Sequence, residues 1–325
     1  MTQATRERTT TPDTARKFAD PFVTAKGERR ARITLGSLDT LWINTGTLCN
    51  LACEHCYIES TPTNDRLVYL SAAEVGTYLD EIEVHQLGTQ LIGFTGGEPF
   101  MNPQFIGMLE DTLSRGFEAI VLTNAMRPMM KVKSALLALR ETYGDRLVIR
   151  VSLDHYTAEW HERERGGRTW KPSIDGLKWL TANGFRLNVA GRLFSGEPEP
   201  VVRAGFARLF ATEAIALDAR DPVALVLFPE MDVNSDVPEI TEACWGILHK
   251  SPADVMCASS RMIVKRKGEA RPSVVACTLL PYDKQFELGH SLADAKREVA
   301  LNHPHCAKFC VLGGASCSGG PEARR

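Results

Sequence analysis

Three cysteines stand within eight residues, Cys49-Asn50-Leu51-Ala52-Cys53-Glu54-His55-Cys56, a C-x3-C-x2-C array followed at once by Tyr57. Three thiolates so close in sequence can hold three irons of a cubane cluster and leave the fourth without a protein ligand, open to a small molecule. An open iron position points to chemistry. The array suits zinc less well, because tetrahedral zinc takes four ligands and within the loop only His55 remains to complete the set. A disulfide suits it least. The nine cysteines are an odd number, the start of the chain carries no charged-then-apolar signal segment, and clustered thiols in a chain with cytosolic features more often bind metal or catalyse.

A second group, Cys257, Cys277, Cys306, Cys310 and Cys317, lies far along the chain. Cys257 and Cys277 bracket a predicted hairpin over 261–275 with Gly268 at its turn, and the other three follow His303-Pro304-His305 in a glycine-rich stretch. A lone cysteine is usually a small core hydrophobe, the reading given to Cys244 in the helix-like segment 240–248. Five together call for metal. They complete one four-ligand cluster with one thiol over, not two cubanes. Cys257, Cys277, Cys310 and Cys317 are the favoured ligands, with Cys306 spare; three ligands would leave an open iron, and zinc is the alternative.

Positioning such groups requires a scaffold, and from Leu38 onward apolar strand-like runs alternate with amphipathic helix-like segments. Strands are expected over 40–45, 90–95, 118–123, 147–153, 186–193 and 224–228. This is the pattern of repeated βα units on a parallel sheet, and six strands suggest an incomplete barrel. Helix signals lie between them. Ser71-Ala72-Ala73-Glu74 is a capping box, Asn102-Pro103 opens a helix that Gly116 closes, and Ser173 caps a helix over 174–182. In such a barrel reactive groups gather at the carboxyl ends of the strands. The cysteine loop follows strand 1, and Thr95-Gly96-Gly97-Glu98-Pro99 follows strand 2, with glycines that let backbone approach a ligand. Asn124, Ser152, Asp154 and Arg192 stand at the ends of strands 3 to 5.

The C-x3-C-x2-C-Tyr loop with Gly-Gly-Glu one βα unit later resembles the signature of the radical S-adenosylmethionine (radical SAM) superfamily. The resemblance implies an α/β fold with a partial (β/α)6 barrel over 33–235 and a small cysteine-rich extension over 236–325. It implies that Cys49, Cys53 and Cys56 hold a [4Fe-4S] cluster whose open iron chelates S-adenosylmethionine. Gly96, Gly97 and Glu98 would meet the cofactor's amino group; Asn124, Ser152, Asp154 and Arg192 are carried over as cofactor-binding by position. An electron from a donor such as flavodoxin or ferredoxin would cleave the cofactor to a 5'-deoxyadenosyl radical that abstracts hydrogen from substrate. The extension resembles the SPASM and twitch modules, with a longer gap from Gly268 to Cys277 and fewer tail cysteines. It implies an auxiliary cluster and an oxidation or bond-forming reaction. The substrate is a small molecule or, alternatively, a peptide or protein; a non-catalytic iron-sulfur or zinc protein is the reading from another class.

A chain of 325 residues that is 44% hydrophobic has enough apolar matter for a substantial core. Its net charge of -2 disfavours a general nucleic-acid or anionic-membrane surface, and no apolar run nears the roughly 18 residues that span a bilayer. A soluble cytoplasmic protein is expected. Residues 1–32, threonine-rich and basic, read as a mobile tail. The basic run Arg261, Lys265, Arg266, Lys267 and Arg271 reads as a solvated face or a guide for an anionic substrate.

Overall fold

Short runs of apolar and β-branched residues such as Thr40-Leu41-Trp42-Ile43-Asn44 are buried along their whole length, as parallel strands covered on both faces must be. The computed structural model describes residues 17–230 and 236–314. Six parallel strands follow one another: β1 (Thr40–Asn44), β2 (Leu91–Thr95), β3 (Glu118–Thr123), β4 (Leu147–Ser152), β5 (Arg186–Leu193) and β6 (Leu225–Pro229). Each pairs in parallel with the next, Asn44 opposite Thr95 and Arg192 opposite Phe228, so their carboxyl ends lie along one rim. The fold is an α/β partial barrel.

The sheet does not stop at β1. Beyond it come β7 (Ser260–Val264), parallel to β1, and then β8 (Ser273–Val275) and β9 (Glu287–Gly289), antiparallel. The expected division at 235/236 therefore falls inside one nine-stranded sheet. Gly268 does sit in the hairpin turn, at φ 85°, a conformation glycine adopts without strain.

The connecting helices are α1 (Ala72–Val84), α2 (Phe105–Ser114), α3 (Lys133–Tyr143), α4 (Ala158–Arg165), α5 (Trp170–Ala182) and α6 (Glu199–Thr212). Ser71 and Glu74 form the expected capping box on α1. Two expected starts are displaced. α2 begins at Phe105 rather than at Pro103, because the side chain of Asn102 is engaged outside the helix, donating to the carbonyls of Leu70 (2.9 Å) and Thr45 (3.2 Å). α5 begins at Trp170, and Ser173 lies within it, its hydroxyl donating to the Asn124 carbonyl at 3.1 Å instead of capping.

Residues 17–32 are not the mobile tail that their charge suggested. Arg30 is fully buried and pairs with Glu239 at 2.5 Å, Arg30 bridges to Thr241, and Arg32–Ile33 forms a two-stranded sheet with Val299–Ala300. A charge-rich segment can be anchored when a buried carboxylate meets its arginine. The remainder of the expected tail lies outside the described residues. Among the described residues no helix is long and apolar enough to cross a membrane.

Candidate cofactor and metal sites

The rim of the sheet is built by two turns locked together through backbone. Gly97 N donates to Gly46 O at 2.8 Å and Glu98 N to Leu48 O at 3.2 Å, tying the turn after β2 to the chain entering the cysteine loop. A Cβ on Gly97 would lie 2.2 Å from Leu48 O, and one on Gly96, at φ 133°, 2.5 Å from Gly46 O. The two glycines are thus required by loop-to-loop packing.

Cys49, Cys53 and Cys56 line one cavity of about 190 Å³ together with Gly96, Gly97, Asn124, Ser152, Asp154 and Arg192. Nine of the ten residues expected at the first site, gathered from five strand ends, therefore share one space. The tenth, Glu98, turns away: its buried carboxylate accepts from Thr123 Oγ1 (2.8 Å), Asn124 N (2.9 Å) and Phe100 N (3.4 Å), tying β2 to the end of β3. Burial pushes its carboxyl up to about 7 against those hydrogen bonds. Every bond is one the carboxylate accepts, an arrangement that suits the ionised form.

Around the thiols the loop supplies backbone donors, Leu51 N to Cys49 Sγ (3.4 Å) and Ser60 N to Cys56 Sγ (3.3 Å). Burial still pushes the Cys49 thiol up to about 12 and Cys53 up to about 11, the latter despite the pull of Arg165. Those two thiols ionise readily only beside a strong cation, and thiolate binding to iron supplies one. The donor set, the shared cavity and the N–H···S bonds fit a cluster held by Cys49, Cys53 and Cys56. His55 also lines this cavity, donating its backbone N–H to Glu164 Oε1 and meeting Glu164 Oε2 through Nδ1, both at 2.9 Å.

Two residues of α4 went unnoticed in the sequence. Glu164, buried, clamps the cysteine loop through His55 and through the Glu54 N–H that its carbonyl accepts, and pairs with Arg192 at 2.7 Å. Arg165 pairs with Asp154; burial favours the charged form of neither, yet each holds the other ionised, and the Cys53 and Cys56 thiols add to the pull on Arg165. Arg192 also stacks over Phe194 and Tyr57, at 5.1 and 5.8 Å. Glu-Arg-Glu-Arg reads as a solvated helix face; only its place directly after Asp154, beyond β4, signals a site.

A second cavity is lined by Cys257, Cys277, Cys306 and Cys310 with His305 and apolar neighbours including Val255, Leu279 and Phe286. Cys306, the expected spare, is buried beside Cys277 and Cys257, and burial above all pushes its thiol well up. Cys317 lies outside the described residues. Cys306 and Cys310 share a π-helix, Cys306–Leu312, whose wide turn of about 4.4 residues brings positions four apart to the same face. The four thiols are a complete cluster donor set. The space is only about 20 Å³, so filling it would be coupled to local rearrangement. Leu279 lines both cavities. Cys244 is half-buried, its thiol against Thr241, away from both groups.

The expected anion-guiding face is largely neutralised. Lys265 pairs with Glu74, Arg266 with Glu287 and Lys267 with Asp65, while Arg261 is buried.

Comparison with known proteins bears on the family. Residues 43–199 match the profile described as the Radical SAM superfamily. The chain is 30% identical over 147 residues to the antilisterial bacteriocin subtilosin biosynthesis protein AlbA of Bacillus subtilis, 45% of this chain and 31% of that one. It is 31% identical over 137 residues to the mycofactocin maturase MftC of Mycobacterium tuberculosis, 42% of this chain and 33% of that one. It therefore spans about a third of the length of these curated relatives. Among solved structures, SuiB of Streptococcus suis bound to S-adenosylmethionine superposes with a TM-score of 0.57 at 13% identity, over 78% of this chain and 63% of that one. A second, anSMEcpe with bound AdoMet, gives 0.57 at 13% identity over 83% and 82%. Fold, profile and relatives agree on a radical SAM domain over residues 43–199, of a superfamily whose members use a [4Fe-4S] cluster and S-adenosylmethionine.

Proposed function

We propose that this protein modifies a peptide by radical SAM chemistry, forming a bond or oxidising a side chain, with a second iron-sulfur cluster held by Cys257, Cys277, Cys306 and Cys310. One observation carries the reading: the cofactor cavity and the second cysteine cavity share a wall, Leu279. A substrate in the first would lie next to an acceptor in the second. The bound cluster and S-adenosylmethionine supply reductive cleavage and hydrogen-atom abstraction. The chain's own part is positioning and exclusion of water. Cys49, Cys53 and Cys56 hold the first cluster; the Gly96–Gly97 turn and Asn124 shape the floor beside it; Ser152 offers a hydroxyl for the ribose. Arg165 and Arg192, each charged by a buried carboxylate, are the groups suited to the cofactor carboxylate. Phe228, Leu279 and Phe309 form an apolar side for the substrate.

A peptide is favoured over a small molecule by the relatives named for bacteriocin biosynthesis and for maturation. A small molecule is the second reading, because an AdoMet-dependent heme synthase of Oleidesulfovibrio alaskensis is also 28% identical over 142 residues. The auxiliary segment is similar in layout to SPASM or twitch modules, and a flavodoxin or ferredoxin in the cytoplasm is the proposed electron source.

The test is anaerobic reconstitution, then assay of 5'-deoxyadenosine with dithionite, S-adenosylmethionine and short peptides encoded beside the gene. Deuterium transfer from a labelled peptide into 5'-deoxyadenosine supports the reading. Turnover only without peptide, or only with a small molecule, sinks the peptide assignment; zinc at both sites sinks the enzymatic one.

A further inference from the structure

Three buried guanidinium groups in this fold come with carboxylates. Arg30 meets Glu239, Arg165 meets Asp154 and Arg192 meets Glu164. Arg261, on β7 and 1% exposed, meets none among the described residues. Its Nε donates to Ala295 O (2.9 Å) and its Nη1 to Ser260 O (2.8 Å) and Cys257 O, all neutral carbonyls, and its Nη2 is buried without a hydrogen-bond partner. Its ionisable neighbour is Cys257, whose carbonyl it holds.

An uncompensated buried cation is costly, several kcal/mol per ion even after relaxation. Arginine cannot escape by shedding its proton at neutral pH. A fold that keeps one supplies an anion nearby, and Cys257 is one of four thiols around the second cavity. Four thiolates around an iron-sulfur core leave a net negative charge in an apolar setting, where a nearby cation interacts strongly.

We propose that Arg261 is the counter-charge of the metal centre at the second cysteine site, offsetting its negative charge and raising its reduction potential. This rests on the reading of that site as an iron-sulfur cluster. Arg261 is a positioning residue: it acts on the centre through charge and through the Cys257 carbonyl it holds.

The experiment compares wild type, Arg261→Lys and Arg261→Met as reconstituted full-length protein, each by iron content and by EPR-monitored titration with dithionite. Wild type binding about four irons, all at the first site, would remove the cluster reading itself, independently of Arg261. With about eight irons present, Arg261→Met should lower the reduced-to-oxidised ratio of the second centre about tenfold at a fixed poise, about 59 mV for a one-electron couple, and Arg261→Lys should restore most of it. Loss of the second centre's iron in Arg261→Met alone, with Arg261→Lys loaded, also supports the charge role. An unchanged potential in a fully loaded Arg261→Met, or equal loss of iron in both variants, overturns it.

Discussion

The two cysteine sites solve one problem in opposite ways. The first takes its thiols from a single loop, stitches that loop by backbone hydrogen bonds to the neighbouring turn, and surrounds it with two buried ion pairs, Asp154 with Arg165 and Glu164 with Arg192. The second takes its thiols from a 3-10 turn before β7, a loop after β8 and a π-helix, walls them with apolar side chains, and holds Arg261 without a carboxylate among the described residues. A preassembled polar site can receive and release a small polar cofactor. An apolar site gathered across the chain suits a resident metal centre whose binding is part of folding.

That contrast breaks most visibly at the ligands. Cys49→Ala/Cys53→Ala/Cys56→Ala should remove all cleavage of S-adenosylmethionine and about four irons per chain while the second centre's signal persists; loss of every iron would mean the sites are interdependent. Cys306→Ala should remove the second centre's irons and spare the first, whereas Cys244→Ala should change neither, both read by iron content and EPR. Next comes the charge clamp. Glu164→Ala leaves Arg192 buried and frees His55, at a cost of about 3–5 kcal/mol in chemical denaturation, and the contrast of paired charges is weakened if the loss is below about 1 kcal/mol.

These effects differ in how far they could be foreseen. Apolar residues are concentrated in each barrel strand, and β3 and β5 occupy their expected limits, because a parallel sheet covered on both faces buries most positions of a strand. The cysteine loop is legible for a similar reason: its geometry is set within eight residues. Arg165 and Glu164 are hidden by chemistry, since a charged pair looks alike whether its partner is water or a buried acid. Cys306 is hidden by packing. Spacing of four puts Cys306 and Cys310 on one face of any helix, but only the tertiary fold decides which thiols meet Cys257 and Cys277.

Smaller effects sharpen the comparison further. Gly97→Ala drives a Cβ into Leu48 O and should cost about 1–3 kcal/mol, with weaker binding of S-adenosylmethionine by calorimetry as the two turns separate; the second centre should be untouched. Lys265→Ala/Lys267→Ala should cost no more than about 1 kcal/mol per pair and leave turnover unchanged, since both lysines are already matched by Glu74 and Asp65. A fall in substrate affinity would restore the guiding role to that face.

The placement of β7 alongside β1 has a bearing on how this protein can be cut and recombined. A fragment ending near residue 235 would strip β1 of its outer neighbour and bare the N–H and C=O groups of Thr-Leu-Trp-Ile-Asn as an edge. Unprotected apolar edges of that kind recruit other chains. The cysteine-rich third is therefore no detachable accessory: exchange of modules among such enzymes would have to carry β7 with it, or aggregate.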